Sequence, residues 1–270
     1  MAPPNSQSAI DKSFSDLLAV VAELRRQCPW DRAQTAPGMA KHLIEEAYET
    51  FDAISQGESW AAIDELGDLL VQILFQGVIA EERRTFLLQD VIEHAREKLI
   101  RRHPHVYGGV TANSPEAVAA NWEKIKAEER KAEGATSALD GIANSMPSLM
   151  LAEKLGVRAR GAGMDWADIN DVLRKVREEL SEVEDALLRG DNDCAAREIG
   201  DLMLAMANAP RFVGHDAEGT LRSACGKFAT RFKKVEALAR LRGRDLKSMR
   251  PDEVDSIWRE AKANKPPSDG

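Results

Sequence analysis

Apolar residues recur at three- and four-residue steps along most of the chain. The stretches 14–27 (FSDLLAVVAELRRQ), 64–82 (DELGDLLVQILFQGVIAEE) and 171–189 (DVLRKVREELSEVEDALLR) each carry a stripe suited to burying one face of a helix. Alternating, β-branched runs bounded by turns are missing, and the 270 residues include only two tyrosines. Stop signals fall between the helical stretches, at Gly57, the HPHVYGG of 103–109, Gly134, Pro147, 161–163, Gly190 and Gly243. The pattern predicts an all-α fold. Residues 127–147 begin as charged helix and decay into small residues, which reads as a linker. It would join two helical modules at 13–126 and 148–262, with unstructured ends at 1–12 and 263–270.

The two modules are copies of one plan. EEAYETFDAISQGESWAAIDELGDLL (45–70) aligns without a gap to EELSEVEDALLRGDNDCAAREIGDLM (178–203), with 11 identities in 26 positions. Chance would supply roughly one or two, so the segment is duplicated. Looser matches follow in order: Trp30 with Trp166, Trp122 with Trp258, Lys98 with Lys227 and Arg102 with Arg231.

Acids dominate what the copies share. Glu45, Glu46 and Glu49 form E-E-x-x-E, and Glu65 with Asp68 forms E-x-x-D on the next helix. Glu178, Glu179, Glu182, Glu198 and Asp201 repeat the set. Steps of three and four put such side chains on one helix face, and a short connection makes the two helices antiparallel neighbours. Five carboxylates per module are therefore expected to converge. So many like charges repel one another unless cations sit among them. Oxygen-only donors select a hard ion, Mg²⁺ or Mn²⁺, which can activate water and steady a phosphoryl group. A single E-E-x-x-E is more often a solvated acidic face; retention of all five acids in both copies, while neighbours such as Tyr48 and Ser181 diverge, argues for a metal site. Lys98, Arg101 and Arg102 in the first module, and Lys227 with Arg231 in the second, are candidates for holding outer phosphates rather than plain surface charge. Trp122 and Trp258, in polar surroundings, are candidates for packing on a base or ribose rather than core residues.

Charge and composition narrow the functions. A net charge of −8 opposes binding to a nucleic-acid polymer. No apolar run approaches the roughly 18 residues that a membrane span needs. The first residues lack the basic start and apolar core of a secretory signal, so a cytoplasmic location is expected. The three cysteines, none in a CxxC, fit a reducing compartment and argue against a zinc knuckle. No Glu stands three residues before any of the five histidines, as a ferritin-like di-iron centre requires, and no GxxxxGK[ST] is present.

The paired EExxE…ExxD segments, CPWD (28–31), KLIRRHPHVYG (98–108), NWEKIKAEER (121–130) and SALDGI (137–142) together resemble tandem-domain MazG proteins over about residues 14–262. The resemblance implies four-helix units assembled through dimerisation, and Mg²⁺-dependent hydrolysis of nucleoside triphosphates to monophosphate and pyrophosphate. It also implies a housecleaning role in nucleotide pools. Carried over by position, it makes Glu178, Glu179, Glu182, Glu198 and Asp201 the metal ligands of the second module, with Lys175, Lys227, Arg231 and Trp258 as nucleotide contacts. The second module is the expected catalyst; the first has His42 where Lys175 stands. Around Lys227 the family pattern is N-E-K-F-x-R-R-F, whereas residues 225–232 read CGKFATRF, with Cys225, Ala229 and Thr230 breaking the basic motif and an Asn and an Arg missing. Two rival functions remain open: a dedicated dUTP or phosphoribosyl-ATP pyrophosphatase on the same fold, and a helical regulator that binds nucleotides without cleaving them.

Overall fold

The computed structural model describes residues 6–57 and 59–263, which hold twelve α-helices and no strand. The chain divides into two compact units, Met1–Ala119 and Ala120–Gly270. The boundary falls inside α7 (Pro115–Ala132).

The first unit contains α1 (Ser6–Gln27), α2 (Pro29–Ala33), α3 (Ala36–Gln56), α4 (Ser59–Glu82), α5 (Leu88–Arg102) and α6 (Pro104–Tyr107). Its α1 starts inside the stretch 1–12 expected to be unstructured, supported by a Gln7–Asp11 side-chain hydrogen bond one turn apart; residues 1–5 lie outside the described ones. Thr35 caps α3 by accepting from the Gly38 amide at 3.2 Å. The helix ends at Gly57, whose φ of 74° only glycine adopts freely and which lets the chain reverse into α4. α3 and α4 then pack side by side. Thr50 Oγ1 donates to the Glu65 carbonyl at 3.1 Å, setting their register. The core lies further along α4, where Leu74, Phe75 and Ile79 meet Val21 of α1 and Met39 of α3. Each of these side chains contributes about 1.5–3 kcal/mol by leaving water. Arg25 links the ends of α1 and α4 through a bidentate pair with Glu82 at 3.0 Å.

The second unit holds most of α7, then α8 (Ser148–Gly161), α9 (Ile169–Leu188), α10 (Asn192–Met206), α11 (Ala217–Leu241) and α12 (Pro251–Ala263). The 127–147 stretch read as a linker comprises the end of α7 and hydrogen-bonded turns. Asp168 and Asp191 cap α9 and α10. Gly190, with φ of 74°, reverses the chain as Gly57 does in the first copy. Val172, Glu179, Val183 and Ala186 form the buried face of α9. Pro210 stands where the first copy has Gly77, and it ends the comparison: α10 stops at Met206 and Pro210–Val213 forms a 3₁₀ turn, because proline cannot donate and restricts the residue before it. Val235, Ala239, Ile257 and Ala261 form a separate core between α11 and α12. Residues 264–270, most of the tail expected to be unstructured, lie outside the described ones.

Much apolar surface stays exposed on the two helix pairs. Ile44 and Ile54 of α3, with Ile63 and Leu66 of α4, are about half exposed, and Trp60 is 83% exposed. Leu180 and Leu187 of α9 and Met203 of α10 are similarly open. Among the described residues no helix is long and apolar enough to cross a membrane.

Candidate active site

The duplicated acids meet where each pair of helices faces itself. In the first unit, carboxylate oxygens of Glu46, Glu49 and Glu65 lie within 4.8 Å of one another; in the second, Glu179, Glu182 and Glu198 do the same. These positions correspond through the repeat. Glu46 precedes buried Thr50 by one turn, so it leans into the groove toward α4, and Glu49 follows it on the same face. Glu179 holds the matching place before Val183 and is only 4% exposed.

Electrostatics show the strain of this crowding. Loss of water, then the charges of Asp68 and Glu49, raise the Glu46 carboxyl above its ordinary range, against a hydrogen bond from Gln72 and the influence of His42. Glu65 is raised by desolvation, then by Glu49, Asp64, Asp68 and Glu46. Glu182 is raised by desolvation, then by Glu179 and Glu198, although Lys175 pulls the other way. A divalent cation would relieve all three, and the donor set is the oxygen-only kind that hard ions prefer.

The two clusters differ in the nitrogen that stands beside them. Lys175 Nζ lies 2.6 Å from both Glu178 Oε1 and Glu179 Oε1. Hydrogen bonds to Glu178 and then Glu179 hold this ammonium charged well above the ordinary lysine range. In the first unit His42 Nδ1 instead meets Glu45 Oε2 at 2.8 Å.

Three of each set come together. Glu45 and Glu178 stand one residue aside, about 100° around the helix from Glu46 and Glu179, and each is engaged by a nitrogen four or fewer residues away. Asp68 is close enough to act on Glu46 and Glu65; Asp201 is exposed and outside the three-acid group. Among the described residues, Lys98, Lys227 and Arg231 make no hydrogen bond or ion pair with the acids. Arg231 and Trp258 do meet each other: the guanidinium carbon is 5.2 Å from the indole centroid, and Phe228 covers the ring at 5.3 Å. Arg101, Arg102 and Trp122 are each engaged in interactions of their own.

Gln72 and Cys194 were not among the expected site residues. Gln72 stands four residues after Asp68, and Cys194 four before Glu198, whose carboxylate it meets at 3.6 Å. Helical spacing from the acids was the available signal for both.

Comparison with known proteins gives the family. A MazG nucleotide pyrophosphohydrolase domain matches residues 34–107, a span that includes the first acid cluster. The chain is 39% identical over 251 residues to the nucleoside triphosphate pyrophosphohydrolase/pyrophosphatase MazG of Thermotoga maritima, covering 92% of this chain and 95% of that one. The chain belongs to the MazG family. The nucleoside triphosphate pyrophosphohydrolase of Escherichia coli is 38% identical over 251 residues, covering 91% of this chain and 95% of its own. A crystal structure of a MazG-related protein from Thermotoga maritima covers 42% of this chain and 97% of its own, at 23% identity and a TM-score of 0.37. Among the described residues of this MazG enzyme, the two three-acid groups are acidic clusters that could hold metal ions.

Proposed function

We propose that this MazG protein hydrolyses nucleoside triphosphates to monophosphate and pyrophosphate, with Mg²⁺ as cofactor and Mn²⁺ as a substitute. It accepts several bases and acts in nucleotide-pool housecleaning in the cytoplasm. The observation that carries this reading is the same three-carboxylate group, within 4.8 Å, on both copies of the duplicated helix pair.

Glu179, Glu182 and Glu198 would hold the ion in the second module, and Glu46, Glu49 and Glu65 in the first. Bound there, Mg²⁺ supplies charge neutralisation and Lewis-acid activation of phosphate and water. Lys175 now satisfies Glu179; once that oxygen has another partner, its ammonium is available to donate to a phosphate oxygen. The water oxygen bonds to the α-phosphorus, the bond from that phosphorus to the bridging oxygen breaks, and pyrophosphate leaves with the electron pair. A carboxylate of the cluster takes the proton. Lys175 and the Arg231–Trp258 pair favour the second module as the principal catalyst. The exposed apolar residues of α3, α4, α9 and α10 support a homodimer that covers them.

Hydrolysis in ¹⁸O-water, with a triphosphate panel and Mg²⁺, tests the reaction. The label should appear in the monophosphate, with pyrophosphate unlabelled. Label in orthophosphate, with diphosphate as co-product, would place attack on the γ-phosphorus and reject the reading. Turnover of dUTP alone would assign the dedicated enzyme, and tight binding without turnover the regulator.

A further inference from the structure

A cavity of about 600 Å³ opens in the second unit between the C-terminal half of α7, the turns at 135–138 and the end of α8. No member of either carboxylate cluster lines it. Its charged walls are Lys124, Arg130, Lys131 and Arg158, against the single acid Glu123. In a chain of net charge −8, this concentration of cations needs a reason.

Arg158 is the core of the feature. It is 8% exposed, and among the described residues no carboxylate pairs with it. One terminal nitrogen donates to the Ala138 carbonyl at 3.0 Å, while the buried Nε has no hydrogen-bond partner. Burial, then the neighbouring charge of Arg130, hold the guanidinium below its ordinary range, with only Glu123 opposing them. Glu123 is itself committed to Lys126 at 2.9 Å. Lys154 stands in the same field, lowered by burial and then by Lys126, and also by Arg158 and Arg130. The nearby Asp140 is occupied in accepting the Thr136 and Ser137 amides at 2.8 and 2.9 Å. A buried guanidinium without a counter-charge is costly to maintain, and an anion entering this cavity would remove that cost.

We propose that the cavity binds a condensed phosphate, with Arg158 at its base and Arg130, Lys124 and Lys131 around it. Guanidinium forks match phosphate oxygens, which favours phosphate over a carboxylate ligand. The cation excess on the walls exceeds the charge of one phosphoryl group, about −1.5 to −2 at neutral pH, and a diphosphate matches it better. Two sources share this chemistry: free inorganic pyrophosphate and the phosphate tail of a nucleotide.

Calorimetric titration of the full chain in excess chelator tests the site without engaging the carboxylate clusters through metal. Inorganic pyrophosphate, a non-hydrolysable nucleoside triphosphate analogue and orthophosphate are titrated separately, at low and physiological salt. Saturable binding of pyrophosphate, one per chain, is expected, weakening as salt rises. Arg158→Met should lower affinity at least about tenfold, the loss of a charge-assisted contact. Arg130→Ala, a less buried change, should lower it severalfold and serves if Arg158→Met fails to fold by circular dichroism. Arg250→Ala, at an exposed arginine paired with Asp252 and outside both sites, should leave binding unchanged. Pyrophosphate bound as tightly as the analogue assigns the site to the shared diphosphate; tighter binding of the analogue assigns it to a nucleotide tail. Equal affinity for orthophosphate, no saturable binding of any of the three, or binding indifferent to both arginine variants would overturn the proposal.

Discussion

Replacing Glu179 with Gln removes the charge of one of three clustered carboxylates while keeping the side chain's size and its ability to accept a hydrogen bond from Lys175, now 2.6 Å away. Because Glu179 is only 4% exposed, a smaller residue would open a void and confuse unfolding with loss of a ligand; Gln avoids this. Glu46→Gln is the matched change in the first cluster, where Gln72 already donates to the carboxylate. Loss of one of three close donors should shift the ion and weaken stabilisation of the developing phosphate charge, at least about a hundredfold in rate. With the second module as principal catalyst, Glu179→Gln loses this activity and Glu46→Gln keeps most of it. Pyrophosphate release at saturating Mg²⁺ measures the rates, and thermal melts check that both variants are folded. A dead Glu46→Gln with an active Glu179→Gln would move the catalytic assignment to Glu46, Glu49 and Glu65. Two folded variants of normal activity would refute the assignment of either cluster to catalysis.

Thr230→Arg, which restores a basic residue beside Arg231, should raise turnover if the second module works, and leave it unchanged if the first does; steady-state kinetics decides. The Glu182 carboxyl is raised above 4.5 in the fold, so its contribution to stability is full below 4.5 and lost as pH rises through the folded value. In chelator, Glu182→Gln should therefore gain melting temperature over the unmodified chain as pH climbs from 4.5 to neutrality, and Mg²⁺ should close that gap; a gap independent of pH would contradict it. Light scattering should give twice the chain mass of 29.7 kDa, and Leu66→Asp, on the exposed face of α4, should shift it toward one chain; a monomeric unmodified protein would reject the dimer.

The helical character was legible in the residues, as was the match between the two acidic segments, because each depends on spacing within one helix or on identity between two stretches of sequence. Steps of three and four place Glu46 beside Glu49 and Glu179 beside Glu182 whatever surrounds them. Gly57 and Gly190 announce the reversals, since their left-handed backbone costs other residues more. Which acids meet was another matter. It depends on how α3 is rotated and slid against α4: the Thr50–Glu65 hydrogen bond lies in that interface, Glu46 and Glu49 join Glu65, and Glu45 meets His42. Pairing of Lys175 with Glu178 and Glu179 follows helix spacing, but the burial of Glu179 that gives the pair its weight comes from α10. The Arg158 cavity lay further beyond reach. Its walls come from α7, a turn and α8, and 127–147 reads as a linker because small residues there show no periodicity. Only the folded chain brings Ala138 to Arg158, and an arginine's missing counter-charge is a property of its surroundings rather than of its own position in the sequence.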